Sequence, residues 1–147
     1  MSMSSTNPNR RTKNYYVGEL SADFKPDGRG RMEYIDGRSF EGVFVNGARY
    51  YGKTILANGN IYEGEYQNDL LHKGRYTFPN GNKYDGDFMN GKFWGNGKHT
   101  SANGRTREGE WENNKQHGKG KEIWSNGDVY EGDYVRQETW KGQSHVL

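Results

Sequence analysis

The 147-residue chain has no cysteine, which removes disulfide staples, thiolate zinc sites and thiol catalysis together. It is also poor in apolar residues, at 30%, and no stretch approaches the roughly 18–20 apolar residues a membrane helix needs. The first fourteen residues lack the apolar core of a secretory signal. Surplus charge is missing as well: 21 basic residues against 19 acidic leave +2. That is not the concentrated basic field of a nucleic-acid binder, so no nucleic acid is expected as partner. With so few apolar residues and 22 glycines, a thick two-layer core is excluded. Aromatic residues, at 14%, must supply most of the buried surface, since each ring buries roughly 150–250 Å².

What the chain does have is one phrase repeated: an aromatic, an acid, a glycine, any residue, an aromatic. It reads Phe40-Glu41-Gly42-Val43-Phe44, Tyr62-Glu63-Gly64-Glu65-Tyr66, Tyr84-Asp85-Gly86-Asp87-Phe88, Arg107-Glu108-Gly109-Glu110-Trp111 and Tyr130-Glu131-Gly132-Asp133-Tyr134, with Tyr16-Val17-Gly18-Glu19-Leu20 as a looser first copy. Starts at 16, 40, 62, 84, 107 and 130 are spaced 24, 22, 22, 23 and 23 residues apart. A near-constant period of this size means a stacked repeat array, stabilised by neighbour-to-neighbour terms. Residues 1–15 read as a flexible polar tail and 16–147 as the array.

Within a copy, alternate side chains of a strand point to opposite faces, so Tyr62, Gly64 and Tyr66 share one face while Glu63 and Glu65 share the other. Gly74-Arg75-Tyr76-Thr77-Phe78 alternates in the same way and gives a second strand, with counterparts at 30–34, 52–56, 97–101, 120–124 and 142–146. Asp36-Gly37, Asn58-Gly59, Asn80-Gly81, Asn103-Gly104 and Asn126-Gly127 join successive copies and suit two-residue type I′ hairpins. Inside the copies the connections read as longer, around Asn46-Gly47, Asn90-Gly91 and Asn113-Asn114. The fold expected is all-β: an elongated, twisted, single antiparallel sheet of about twelve short strands.

These motifs resemble the MORN (membrane occupation and recognition nexus) repeat, an aromatic-acid-Gly-x-aromatic start, a Gly-x-Gly midpoint and an Asn-Gly end. The resemblance covers residues 16 to 146. It implies a rod or trough of β-hairpins used to bind proteins, to dimerise or, in some members, to touch phosphoinositide membranes. It also implies an association with cilia and flagella, including radial spokes, and with the cytoskeleton. The midpoint is complete in Gly28-Arg29-Gly30, Gly95-Asn96-Gly97 and Gly118-Lys119-Gly120, but Tyr50, His72 and Trp140 replace its first glycine elsewhere, and Arg107 replaces an aromatic. At the replaced positions either the connection bends differently or an extra ring fills a groove.

No catalytic constellation is visible. The histidines His72, His99, His117 and His145 fall at different repeat phases, read as solvent-facing or loop residues, and predict no metal site. Recurrent acids such as Glu63 and Asp85 are expected to pair across strands with bases such as Arg75 and Lys98. No cofactor is expected. The aromatic row reads mostly as the hydrophobic spine, but a single sheet cannot bury that face completely without a partner, a strong curl or a covering segment, so part of it is expected to line a groove. The expected function is therefore a non-catalytic scaffold in the cytoplasm, in an axonemal or cytoskeletal complex, that binds a helix or extended peptide of another protein in an aromatic-lined groove. Tyr50, Tyr62, Tyr66, His72, Tyr84, Phe88, Arg107, Trp111 and Trp140 are the candidate contacts. The alternative is a weak membrane module working through Arg10, Arg11 and Lys13, and the terminal strands offer edges for a homodimer.

Overall fold

The computed structural model describes residues 12–134, which form one open antiparallel sheet of eleven strands in chain order, without a helix. The strands are β1 (Tyr15–Leu20), β2 (Pro26–Glu33), β3 (Ser39–Val45), β4 (Ala48–Ile55), β5 (Ile61–Gln67), β6 (Leu70–Thr77), β7 (Lys83–Met89), β8 (Lys92–Thr100), β9 (Thr106–Glu112), β10 (Lys115–Ile123) and β11 (Val129–Tyr134). Odd-numbered strands carry the aromatic-acid-glycine phrase and even-numbered strands the second half of each copy. The strand expected over 142–146 lies outside the described residues.

One glycine from every strand falls in register with the next, so that Gly18, Gly30, Gly42, Gly52, Gly64, Gly74, Gly86, Gly97, Gly109, Gly120 and Gly132 run as a seam across the sheet. The seam is tight. A Cβ on Gly42 would sit 2.3 Å from the Tyr51 carbonyl oxygen and 2.6 Å from the Gly52 Cα. The first rings of the first four phrases, Tyr16, Phe40, Tyr62 and Tyr84, lie down on this bare backbone: a Cβ on Gly97 would meet Cζ of Tyr84 at 2.2 Å. The Tyr84 hydroxyl then donates to the Asp87 carbonyl at 2.9 Å, and Tyr62 repeats the bond to Glu65.

The rings interlock edge to face in one zigzag. Tyr16–Phe44, Phe44–Phe40, Phe40–Tyr66, Tyr66–Tyr62, Tyr62–Phe88, Phe88–Tyr84 and Tyr84–Trp111 have centroids 5.0–5.5 Å apart. Phe40, Tyr62 and Tyr84 are 0% exposed, so a single sheet has buried its own core and the spine of the aromatic face is not open. The balance is favourable. A strand glycine costs roughly 0.5–1 kcal/mol against alanine, whereas burying a ring contributes about 1.5–3 kcal/mol and each edge-to-face contact about 0.5–1.5 more.

The turns reverse the expectation. Between copies, Gly59 N–H donates to the Leu56 carbonyl and Leu56 N–H to that of Asn60, and only Gly59 is left-handed, at φ 92°. This is a three-residue loop, a type I turn closed by a glycine bulge, and the other four inter-copy turns repeat its hydrogen bonds. The two-residue turns lie inside the copies: Asn46-Gly47, Asn68-Asp69, Asn90-Gly91 and Asn113-Asn114 have positive φ at both residues, as type I′ requires.

The spacing of 22 or 23 residues has a structural cause. Between Gly64↔Gly74 and Tyr66↔Leu71, Glu65 faces His72 and Lys73; between Gly86↔Gly97 and Phe88↔Phe93, Asp87 faces Trp94, Gly95 and Asn96. The longer bulge needs its glycine, since Gly95 has φ 67° and lies against the Asp87 carboxylate. At Tyr50 and His72 the bulge is one residue shorter. Of the two alternatives for these positions, the structure shows the altered bend.

Candidate functional site

The two faces of the sheet differ in kind. On the outer face, the register aligns Arg31, Glu41, Lys53, Glu63, Arg75, Asp85, Lys98, Glu108, Lys121 and Glu131 in strict alternation of sign. The acids come from odd strands and the bases from even ones, as cross-strand pairing predicts. Arg75 Nε lies 2.7 Å from Asp85 Oδ1, with both side chains substantially exposed, so each such pair is worth at most about 1 kcal/mol. A shallow hollow of about 480 Å³ over Gly74 and Gly86 is lined by Lys73, Arg75, Asp85, Asp87 and Asn96. Its charges cancel, and it offers no surplus field to a ligand.

The inner face carries the spine, and beside it a second row contributed by the even strands. There Tyr76 and Phe78 (5.0 Å between centroids), Tyr76 and Phe93 (6.4 Å) and Phe78 and Phe93 (6.5 Å) make a half-buried ring cluster. Met32 and Tyr34 extend the row towards β1.

The predicted contact residues do not form one surface. Tyr62, Tyr66, Tyr84, Phe88 and Trp111 are core, each no more than 6% exposed, because Tyr62 and Tyr84 lie on the glycine seam and all five interlock in the zigzag; they cannot touch a partner directly. Tyr50 is exposed in the β4 bulge and His72 half-buried in that of β6. Arg107 lies on the inner face of β9 with its guanidinium 5.8 Å from the Trp111 ring centroid. Lys13 is exposed; Arg10, Arg11 and Trp140 lie outside the described residues.

The family resemblance rests on the third, fourth and fifth copies, where the MORN repeat family matches residues 62–83, 84–104 and 108–129. Residues 62–129 carry three MORN repeats. A protein of Plasmodium berghei (strain Anka) named "Inactive protein tyrosine kinase pTKL" is 51% identical over 43 residues, which is 29% of this chain and 3% of that protein. The likeness is thus to a short stretch of a far longer relative. MORN arrays are interaction modules, for protein or membrane, and the family is generally non-catalytic.

Within this MORN array the fifth copy departs from the others. With Arg107 at the aromatic position, the zigzag stops at Trp111, and Gln116 lies over Gly120 beside the Tyr134 ring: a Cβ there would be 2.6 Å from Gln116 Nε2 and 3.0 Å from Tyr134 Cε1. Gln116 is 1% exposed, yet neither end of its amide has a hydrogen-bond partner. His99, Arg107, Glu122 and Tyr130 are successive cross-strand neighbours. Glu122 is buried, accepts from the Tyr134 hydroxyl at 3.0 Å and pairs with Arg105; the Arg105 guanidinium lies 4.0 Å over the Trp124 ring. Burial, with Arg107 and Arg105 nearby, holds the His99 imidazole below its usual range and so neutral. His99 was expected at the solvent; it sits half-buried in β8 because it occupies the inner-face position that Tyr76 fills one copy earlier. The signal for this polar end was Arg107, but the roles of Arg105, Gln116 and Glu122 depended on cross-strand register.

Proposed function

We propose that this MORN array is a non-catalytic scaffold that seats a helix or extended segment of another protein on its inner face, along the row beside the spine. The observation that carries the reading is the Tyr76, Phe78 and Phe93 cluster: three adjoining rings only half-buried, on a sheet that has no second layer among the described residues. Adjoining aromatics outside a core supply contact area at low entropic cost. A place in a ciliary or flagellar complex, axonemal and radial-spoke-like, or in the cytoskeleton, is the setting that the family resemblance supports.

Phe78→Arg tests this, since Phe78 stands outside the zigzag. The tagged variant, purified from the protein's own cells beside the wild type, is expected to keep its β-sheet circular dichroism and to lose a specific co-purifying protein by about tenfold or more. Undiminished recovery of every partner would contradict the reading. If instead both proteins float with phosphoinositide vesicles, and high salt or reversal of Arg10, Arg11 and Lys13 abolishes flotation, the membrane alternative takes its place.

A further inference from the structure

The Asn-Gly pairs that close most of the hairpins are also the dipeptides most prone to lose a side-chain amide. The reaction is intramolecular: the glycine N–H gives up its proton, its nitrogen attacks the asparagine Cγ, and a five-membered succinimide forms as ammonia leaves. It asks two things of the fold. The glycine N–H must be free of an acceptor, and the asparagine amide must be free to swing round onto it. The chain holds seven such pairs, and the structure treats them differently.

At Asn58, Asn80, Asn103 and Asn126 both reacting groups are held. The following glycine donates to the carbonyl three residues back at 2.8–2.9 Å, while the asparagine Oδ1 accepts from the N–H two residues on at 2.9–3.1 Å. Asn96-Gly97 lies within β8, paired on both sides by β7 and β9, with the Tyr84 ring on Gly97. The Asn46-Gly47 turn is braced by the start of β2, where Gly47 N–H donates to the Pro26 carbonyl at 2.7 Å and Asn46 N–H to Asp27 Oδ1 at 2.9 Å. That leaves Asn90-Gly91. Among the described residues neither the Gly91 N–H nor the Asn90 side-chain amide has a hydrogen bond. The bond that closes a two-residue turn joins its flanking residues, so the second turn N–H is not used by the turn itself. A Cβ on Gly91 would meet nothing within 4 Å, and residues 89–92 are all exposed, so the turn has room to move.

The geometry points to Asn90 as the site where the folded chain spontaneously deamidates, ahead of its other asparagines. The Gly91 nitrogen bonds to Asn90 Cγ, the Cγ–Nδ2 bond breaks, and ammonia departs with the proton that Gly91 gave up. Water then opens the ring. Breaking the bond from the Gly91 nitrogen to Cγ gives aspartate; breaking its bond to the main-chain carbonyl carbon gives isoaspartate. One water is consumed for one ammonia released, and no oxidant or reductant takes part. Either product replaces a neutral amide with a carboxylate. Isoaspartate also lengthens the main chain by one carbon inside the turn that sets Phe88 opposite Phe93. Phe93 is stacked on Tyr84 with centroids 3.9 Å apart, so isoaspartate is expected to loosen this hairpin, whatever the array binds.

The test is to age the full chain in mildly alkaline buffer and map its tryptic peptides by mass spectrometry. Each pair falls in its own peptide, because a lysine or arginine separates every two of them. Asn90 is expected to convert at least about tenfold faster than any other asparagine, the rate difference that one retained hydrogen bond supplies, and faster still as pH rises. In denaturant the seven pairs should converge. Asn90→Gly, which keeps the left-handed turn, should abolish the early isoaspartyl signal, read by enzymatic methyl transfer to isoaspartate, and should hold the melting temperature through ageing. A folded chain in which another pair converts first, or in which all seven convert together, would overturn the assignment. So would an Asn90 that survives conditions under which the unfolded chain converts, or one that keeps the same lead after unfolding.

Discussion

Gly86→Ala is expected to destabilise the array by about 3–5 kcal/mol, although it adds one methyl group. The new Cβ would lie 2.4 Å from the Asn96 carbonyl oxygen and 2.5 Å from the Gly97 Cα, both backbone, so β7 and β8 must separate. Overpacking alone costs typically 1–3 kcal/mol, and each ladder hydrogen bond lost adds about 0.5–1.5. In an array held by neighbour terms the damage is local. Limited proteolysis should therefore cut between β7 and β8 first, and the melting temperature should fall by roughly 10–20 °C. Gly91→Ala is the control. Its φ of 77° penalises alanine, but nothing lies within 4 Å of the added carbon, and the cost should be about 1–2 kcal/mol. Equal effects of the two substitutions would mean that close backbone approach does not define the seam.

Tyr62→Ala should cost about 3–5 kcal/mol, the usual range for deleting a buried ring. Tyr62 is fully buried and stands edge to face with Tyr66 at 5.2 Å and Phe88 at 5.3 Å, so the deletion interrupts the zigzag in the middle of the chain. Burial also pushes its phenol well above the usual tyrosine range, which keeps the hydroxyl a donor to Glu65. Tyr62→Phe removes that bond alone and should cost about 1 kcal/mol. Denaturant melts of the pair separate the two contributions; a Phe variant as damaged as the Ala variant would transfer the stabilisation from the ring to the hydroxyl.

Much of the fold was legible because the phrase encodes it locally. Alternation placed Tyr62, Gly64 and Tyr66 on one face, and they lie there. The turns were misassigned because Asn-Gly serves two geometries: in Asn90-Gly91 both residues are left-handed, in Asn58-Gly59 only the glycine is, and which applies depends on how the flanking strands pair. That the aromatic row is mostly spine is legible in the sequence; that Tyr62, Tyr66, Tyr84, Phe88 and Trp111 are closed to a partner is not, for a related reason. Gly86 and its partners Gly74 and Gly97 make a continuous floor only once all strands are aligned. That alignment also moves the candidate surface off Tyr66 and Tyr84 and onto Phe78 and Phe93, positions that differ from copy to copy and are not part of the repeated phrase.

The central claim is that the inner face beside the spine is where a partner sits, while the charge ladder faces solvent. A photo-crosslinking phenylalanine analogue placed at Phe78, on the inner face, or at Tyr51, 51% exposed on the outer face, tests it in the protein's own cells. Ultraviolet irradiation should give a discrete protein adduct from position 78 and none from position 51. The same adduct from position 51, with none from 78, would contradict the account.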